Sequence, residues 1–295
     1  MKTRKILLAI ISSLFIFCNI VAQPSCTINS VDLLPEGTFT SGIEGPAVDK
    51  AGNLYAVNYA KEGTIGIVRP DGTHDCFIVL PKGSTGNGIR FGKDGSMYVA
   101  DYTGHNVLKI NMNSLEIDRF AHEPAMNQPN DIAMSPNGNI YASDPDWADN
   151  KGQIWLVKSN GEVILLETNM GTTNGIEVSP DGKILYVNES VQLKVWSYDI
   201  QEDGTVKNKR LFHSFDNYGM DGMRCDIKGN LYLCRYDKGT VAVLNPDGML
   251  IREVQLKGKK PSNITFGGEE NRRCYVTLQD RGCFEVFVAE FPGRE

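Results

Sequence analysis

The stretch NDIAMSPNGNIY, residues 130–141, contains the pattern that decides the fold. A polar pair is followed by a short apolar segment, a Ser-Pro-Asn-Gly turn, and a second segment that begins Asn-Ile-Tyr. Glycine at the end of such a turn accepts the positive φ that other residues avoid. The pattern therefore predicts two short antiparallel strands joined by a tight turn.

The same pattern recurs along the chain: a polar lead residue, an apolar strand, a glycine turn and a strand with tyrosine. Five copies are clear, a sixth is degraded, and the lead residues lie 42 to 47 residues apart. The lead residues are Glu44, Asn87, Asn130, Asn174, Asp221 and Asn263. A period in the low forties with strand-like alternation is typical of a propeller blade. The sequence thus predicts an all-β protein, a six-bladed β-propeller, with residues 23–295 as its single domain.

The last copy supplies only three strands, the third at about residues 283–291. Residues 26–34 precede the first blade, and we expect them to form the outer strand of the last blade and close the ring. Closure is favoured because an open ring would leave two apolar blade faces in water. A disulfide from Cys26 to the last blade, with Cys283 as a candidate partner, would lock this strand in place.

The first 22 residues have the pattern of a secretory signal peptide. A basic start at Lys2, Arg4 and Lys5 precedes the apolar run 6–18, and Ala22 offers a cleavage site. The run is shorter than the roughly 20 residues that a membrane span needs, and no later stretch approaches that length. The protein is therefore expected to be exported, to the periplasm or the medium. Removal of the peptide changes the formal net charge from −6 to −9, which disfavours binding to nucleic acid or to anionic membranes.

In a propeller, the inner strand of each blade lines a central channel, so all six lead residues are expected around one mouth of that channel. Every lead side chain is a carboxylate or a carboxamide. An all-oxygen set without thiol or imidazole favours a hard cation, Ca²⁺ first, with Mg²⁺, Mn²⁺ or Zn²⁺ as alternatives. Asp101 and Asp144 end second strands and are predicted to contact substrate at this mouth. Five mouth-side aromatic residues could stack on a substrate ring: Tyr59, Tyr102, Trp147, Tyr218 and Tyr236.

Four short motifs carry a family resemblance: SGIEGP at 41–46, QPND at 128–131, TNGI at 173–176 and MDGM at 220–223. They resemble the site motifs of the gluconolactonase, senescence-marker-protein and luciferin-regenerating-enzyme family. The resemblance implies a six-bladed propeller that hydrolyses lactones with an axial divalent metal.

The resemblance also implies roles for individual residues. Glu44, Asn174 and Asp221 would bind the metal, and Asp221 would also be the general base. Asn130 would touch substrate or an intervening water, with Asp131 supporting it. The sugar-lactone members of the family carry arginine where this chain has Gln128, so Gln128 is a candidate substrate contact that argues against an aldonolactone.

The same chemistry follows from the residues. Hydrolysis of a lactone needs a polarised carbonyl, which a cation supplies, and a carboxylate that accepts a proton from water. The expected activity is an exported, metal-dependent hydrolase of lactones or related small esters, as a monomer or small homo-oligomer. Two alternatives stay open: a non-catalytic binding or scaffold module with a structural metal, and a strictosidine-synthase-like condensing enzyme.

Overall fold

The computed structural model describes residues 30–294, which form an all-β ring of six four-stranded antiparallel sheets. The inner strand of each sheet contacts the inner strands of both neighbouring sheets, and the sixth sheet contacts the first. The six sheets are therefore the blades of a closed propeller, as the repeat predicts. The helical content of the described range is one 3₁₀ turn, Glu269–Asn271. No helix in that range is long and apolar enough to cross a membrane.

The chain traces each blade from the channel outwards, as strands A to D. Blades one to three comprise β2 (Glu44–Val48), β3 (Leu54–Val57), β4 (Thr64–Val68) and β5 (His74–Val79); β6 (Gly86–Phe91), β7 (Met97–Asp101), β8 (Asn106–Ile110) and β9 (Ile117–His122); and β10 (Ile132–Met134), β11 (Ile140–Asp146), β12 (Lys151–Val157) and β13 (Val163–Met170). Blades four to six comprise β14 (Thr173–Val178), β15 (Ile184–Glu189), β16 (Lys194–Ile200) and β17 (Val206–Ser214); β18 (Met223–Cys225), β19 (Leu231–Arg235), β20 (Thr240–Leu244) and β21 (Leu250–Gln255); and β22 (Pro261–Gly267), β23 (Arg273–Leu278), β24 (Cys283–Val288) and β1 (Val31–Asp32).

The repeated tyrosine of strand B keeps its phase because it packs where blades meet. Tyr55 makes an edge contact with Phe91 of blade two at 5.6 Å, and Tyr232 makes one with Phe266 of blade six at 5.1 Å. Aromatic pairs of this geometry stabilise a core beyond the area that they bury. The regular spacing of these tyrosines in the sequence therefore reflects apolar contacts between neighbouring blades.

The last blade is completed by the N-terminal strand, as predicted. Val31 of β1 pairs with Val286 of β24. Asp32 bonds the guanidinium of Arg281 at 2.6 Å and the ammonium of Lys257 at 2.8 Å. The hydrogen bonds from these two cations lower the pKa of Asp32 to about 2. The ring is thus closed by a short strand pairing together with the ion pairs of Asp32.

Cys26, the cysteine of this segment that was predicted to form a disulfide with the last blade, lies outside the described residues. Within residues 30–294 all five cysteines are free thiols, and four of them, including Cys283, are buried.

Leu34 links the closing strand to the core, and its removal tests closure. The side chain is 6% exposed and packs in the seam between blades six and one with Leu54 and Phe284. We expect Leu34→Ala to lower the free energy of unfolding by about 2–5 kcal/mol. Val31→Ala is the matched control, because Val31 is 58% exposed and should change stability by less than about 0.5 kcal/mol. Urea unfolding measures both, and equal effects would contradict a closing role for this segment.

The C-terminal tail crosses the end of the channel opposite the predicted mouth. Gly293 forms a bridge with Asp226 below strand β18, and the Arg294 amide donates to the carbonyl of Cys225 at 2.9 Å. The Arg294 guanidinium reaches the carbonyl of Met134 at 3.0 Å and the carboxylate of Glu177 at 2.6 Å. The tail therefore holds a cation at the channel's lower end.

Candidate active site

Five of the six lead residues meet in one pocket of about 420 Å³ at the channel mouth. We call them the lead ring: Glu44, Asn87, Asn130, Asn174 and Asp221. The sixth, Asn263, is fully buried beneath the pocket, where its amide donates to Glu44 Oε1 at 3.3 Å and to Asp131 Oδ2 at 3.3 Å. The repeat thus places five possible metal ligands in the pocket and one buried amide, that of Asn263, beneath them.

Glycines behind the lead residues allow the lead ring to be this narrow. A Cβ on Gly222 would lie 2.0 Å from Cγ of Asn263, and a Cβ on Gly45 would lie 1.9 Å from the carbonyl oxygen of Asn87. Gly45 also has a φ of 56°, which side-chain-bearing residues seldom adopt. Only glycine lets adjacent blades approach so closely at the axis.

A second ring of side chains forms the pocket wall above the lead ring. It consists of the residue that directly follows strand B in each blade, and all six members line the pocket. We call it the upper ring: Asn58, Tyr102, Trp147, Ser190, Tyr236 and Gln279. Three of its members were predicted mouth-side aromatics, whereas Asn58, Ser190 and Gln279 were missed. The available signal is their place after the strand B tyrosine, which they follow by three residues in Asn58 and by four in Ser190 and Gln279.

The two carboxylates of the lead ring lie close to other acids, and Glu44 is buried whereas Asp221 is half-buried. Glu44 is 6% exposed, and burial, with the charges of Asp221 and Asp131, raises its pKa well above the usual value. Loss of contact with water and, to a smaller extent, the charge of Asp131 raise the pKa of Asp221 to about 8, against an opposing hydrogen bond from Asn174. Two acids of this kind favour a bound cation that neutralises them.

The amides of the lead ring offer further oxygen ligands. In the described part of the chain, the buried Oδ1 atoms of Asn87, Asn130 and Asn174 have no hydrogen-bond donor. Buried acceptors without a donor are uncommon and need a partner. Residues 30–294 contain no cluster of three His, Cys, Asp or Glu side chains that could hold a metal, so amide oxygens would have to complete any metal site. Two carboxylates with carbonyl oxygens are a donor set that fits Ca²⁺.

Beneath the lead ring the channel is filled by buried ion pairs that the sequence analysis did not identify. Asp131 binds Arg90 at 3.2 Å and Arg224 at 3.4 Å, and Glu177 binds Arg90 at 3.6 Å and Arg294 at 2.6 Å. We call these five residues the channel layer. Three of these residues lie three positions after a lead residue: Arg90, Glu177 and Arg224. A charged residue at the same position of three otherwise apolar inner strands was the signal from which this layer could have been predicted. Asp131, predicted to support Asn130, lies in this layer rather than in the pocket wall.

The structure does not bring Asp101 and Asp144 to the pocket. The Asp101 carboxylate accepts hydrogen bonds from the hydroxyl of Ser84, the amide of Thr85 and the side chain of Asn106. Its role in the fold is therefore to hold the loop that carries Thr85 at the mouth.

Asp144 holds the neighbouring loop in a similar way. Its carboxylate accepts the backbone amides of Asn127 at 2.9 Å and Gln128 at 2.6 Å, and the indole N–H of Trp155 at 2.8 Å. Burial raises the pKa of Asp144, and these bonds oppose the shift. Gln128 is half-buried in this loop and is not one of the residues that line the pocket.

Comparison with known proteins identifies the family. Residues 43–280 match the model of the SMP-30/Gluconolactonase/LRE-like region. The gluconolactonase of Zymomonas mobilis is 26% identical over 271 residues, covering 79% of this chain and 75% of that protein. The diisopropyl-fluorophosphatase of Loligo vulgaris is 28% identical over 286 residues, covering 86% and 91%. A calcium-binding regucalcin of Agrobacterium tumefaciens has the same fold, with a TM-score of 0.78 at 20% identity over 90% of this chain and 96% of that one. The chain belongs to the SMP-30/gluconolactonase/LRE-like family.

Proposed function

We propose that this protein is a metal-dependent hydrolase of lactones or closely related esters. The observation that carries the proposal is the lead ring: one buried and one half-buried carboxylate beside three amide oxygens that lack donors, at the floor of an accessible pocket. The gluconolactonase among the relatives supports lactones as the substrate class. The calcium-binding regucalcin of the same fold supports Ca²⁺ as the cation.

Four residues of the lead ring have a role in this proposal. Glu44, Asn174 and Asp221 would hold the cation, which when bound would polarise the lactone carbonyl. Asn130 orients the substrate through its amide, since its backbone is fixed by hydrogen bonds to Ser143 and Gly88 at 2.8 Å. Asp101 and Asp144 act indirectly, by positioning the loops that border the pocket.

Asp221 is the proposed general base. Its carboxylate accepts a proton from the water that attacks the carbonyl carbon, and it returns that proton to the ring oxygen when the ester bond breaks. The product is a hydroxy acid. Burial suits Asp221 to this task, because a base is most effective when its pKa lies near the working pH.

We also propose that the protein is exported. The support is the basic and apolar pattern of residues 1–22, which precede the described part of the chain. Cell fractionation with an antibody against the mature protein tests this proposal.

Metal removal and replacement tests the function. We expect chelated protein to lose lactone hydrolysis and Ca²⁺ to restore it. Ca²⁺ at 100 times its Kd should add about 2.7 kcal/mol of stability, which for a domain of this size raises Tm by roughly 5–10 °C. Asn174→Ala should weaken both effects, whereas Asn230→Ala should not, because Asn230 bonds Asp226 at the opposite end of the channel.

The outcomes of this experiment separate the candidate functions. Full activity in the chelated protein would refute metal dependence. Stabilisation by Ca²⁺ without hydrolysis of any lactone or ester would favour the binding module instead.

A further inference from the structure

The upper ring forms the pocket wall above the lead ring. The part of a substrate that does not react would contact this wall, so its side chains determine which substrates fit. None of its six members is charged, and the other residues at its level are Gly42, Thr85 and Gly86. Among the described residues that line the pocket, the charged side chains are therefore Glu44 and Asp221. An anionic substituent on the part of the substrate that does not react would meet no Arg or Lys in this wall, although anions in protein sites are usually paired with those residues.

The nearest cations of the upper wall face other groups. Lys260 is exposed and lies over the ring of Tyr236 at 5.6 Å. The guanidinium of Arg235 stacks on the ring of Phe215 at 3.5 Å and donates to the carbonyl of Asn217. Neither residue lines the pocket, so the wall itself remains uncharged.

The aromatic members of the upper ring stand on opposite sides of the axis. Tyr102 and Trp147 belong to the neighbouring blades two and three. Tyr236 belongs to blade five, and its hydroxyl donates to Gln279 at 2.9 Å. A planar group above the lead ring would lie between these two walls, where stacked or edge-on contacts with aromatic rings are favourable.

Two polar members of the upper ring use a donor group within the protein. The amide of Asn58 donates to the carbonyl of Gly42 at 2.7 Å, and the hydroxyl of Ser190 donates to the carbonyl of Met220. The buried Oδ1 atom of Asn58 can still accept one hydrogen bond, but a polyhydroxylated ring would lose more hydrogen bonds to water than this wall returns, which disfavours its binding.

From these observations we propose that the substrate is an uncharged lactone whose non-reacting part is an aromatic or apolar ring, held between Tyr102 and Trp147 on one side and Tyr236 on the other. The pocket size agrees, since a cavity of roughly 150 Å³ accepts benzene and this pocket measures about 420 Å³. The inference rests on the proposed lactonase function and specifies its substrate class.

A panel of four lactones tests this specificity on the Ca²⁺-loaded protein: dihydrocoumarin, δ-valerolactone, glucono-1,5-lactone and the carboxylate-bearing lactone paraconic acid. We expect kcat/KM for dihydrocoumarin to exceed that for glucono-1,5-lactone by about 10²-fold, from the apolar area that its benzene ring buries. Paraconic acid should be the poorest substrate of the four.

A pair of tryptophan variants assigns the preference to the upper ring. Trp147→Ala should lower the ratio of kcat/KM for dihydrocoumarin to that for δ-valerolactone by about tenfold, because a stacked ring is lost. Trp196→Ala is the matched control and should leave that ratio unchanged, since Trp196 lies on strand β16 beneath Lys194 and Lys209. An unchanged ratio in Trp147→Ala would overturn the assignment to this wall.

The outcomes distinguish this inference from the function on which it rests. Equal or faster hydrolysis of glucono-1,5-lactone or paraconic acid would overturn the substrate class and leave the lactonase function intact. Hydrolysis of no lactone would refute the function. In that case Kd values from tryptophan fluorescence still decide the inference, because tighter binding of glucono-1,5-lactone than of dihydrocoumarin would overturn it.

Discussion

Asp221→Asn is expected to lower lactone turnover at saturating Ca²⁺ by at least about 10²-fold, the usual cost of losing a general base. The substitution keeps the size of the side chain and one carbonyl oxygen, but it removes the negative charge and the site that accepts a proton. The Kd for Ca²⁺ should also rise, because a neutral ligand replaces an anion.

The fold should survive this change, since the backbone of residue 221 is held independently of its carboxylate. Its amide donates to the carbonyl of Cys234 at 3.0 Å, and its carbonyl accepts the side-chain amide of Asn188 at 2.7 Å. Steady-state kinetics over a range of Ca²⁺ concentrations separates the loss of turnover from the loss of metal affinity.

Asp226→Asn is the matched control in the same blade. Asp226 is fully buried at the opposite end of the channel, where its carboxylate accepts the amides of Lys228 and Asn230 in a turn. This control should lose stability but keep the turnover of the folded enzyme. Normal turnover in Asp221→Asn at saturating Ca²⁺ would refute the catalytic role of Asp221.

Glu177→Gln is expected to destabilise the protein by about 3–5 kcal/mol, because it removes the anion that lies between two largely buried guanidinium groups. The Glu177 carboxylate is buried between Arg294 and Arg90. Although burial alone would raise its pKa, the charges of Arg294, Arg90 and Arg224 hold the pKa below the usual value. Thermal unfolding should show the loss as a Tm lower by roughly 6–20 °C.

The pH dependence gives a second readout for Glu177. A carboxylate whose pKa is lowered in the folded state stabilises that state fully above the unfolded pKa, near 4.3 for glutamate. That stability is lost as the pH falls through the lowered folded value. The difference between wild type and Glu177→Gln should therefore be full at neutral pH and shrink under more acidic conditions.

An exposed ion pair provides the control for Glu177. Asp75 pairs with Arg69 at 2.9 Å, and its side chain is 68% exposed. Asp75→Asn should cost no more than about 1 kcal/mol, since water screens such pairs. A similar cost for both variants would contradict a structural role for the channel layer.

The fold could be predicted from the sequence because its determinants are local and repeated. The glycine turns and the strand B tyrosines fix the blade period, and the closing strand follows from counting strands in the last copy. The lead ring could be predicted for the same reason, since every lead residue lies within two residues of the start of the inner strand of its blade. Asn263 departs from the others because it bonds Glu44 and Asp131 below the pocket.

The rest of the site depends on distances that the repeat does not specify. Successive side chains of a strand point to opposite faces, so a shift of one residue decides whether a side chain reaches the pocket. Asp101 ends strand β7 and lies under a loop, whereas Tyr102, the next residue, lines the pocket. The ion pairs of the channel layer could not be predicted from the repeat either, because the partners of Arg90 come from other blades, three and four.

The channel layer and the C-terminal tail block the lower part of the channel, so the pocket is reached from the mouth. In the described chain, Asp131, Arg90 and Arg224 fill the axis below the lead ring, and Arg294 occupies its far end. For the proposed lactonase, substrate and product would therefore pass through the same mouth and compete for it. A compound too large for the pocket can still present a terminal ester to the lead ring while the remainder extends into solvent.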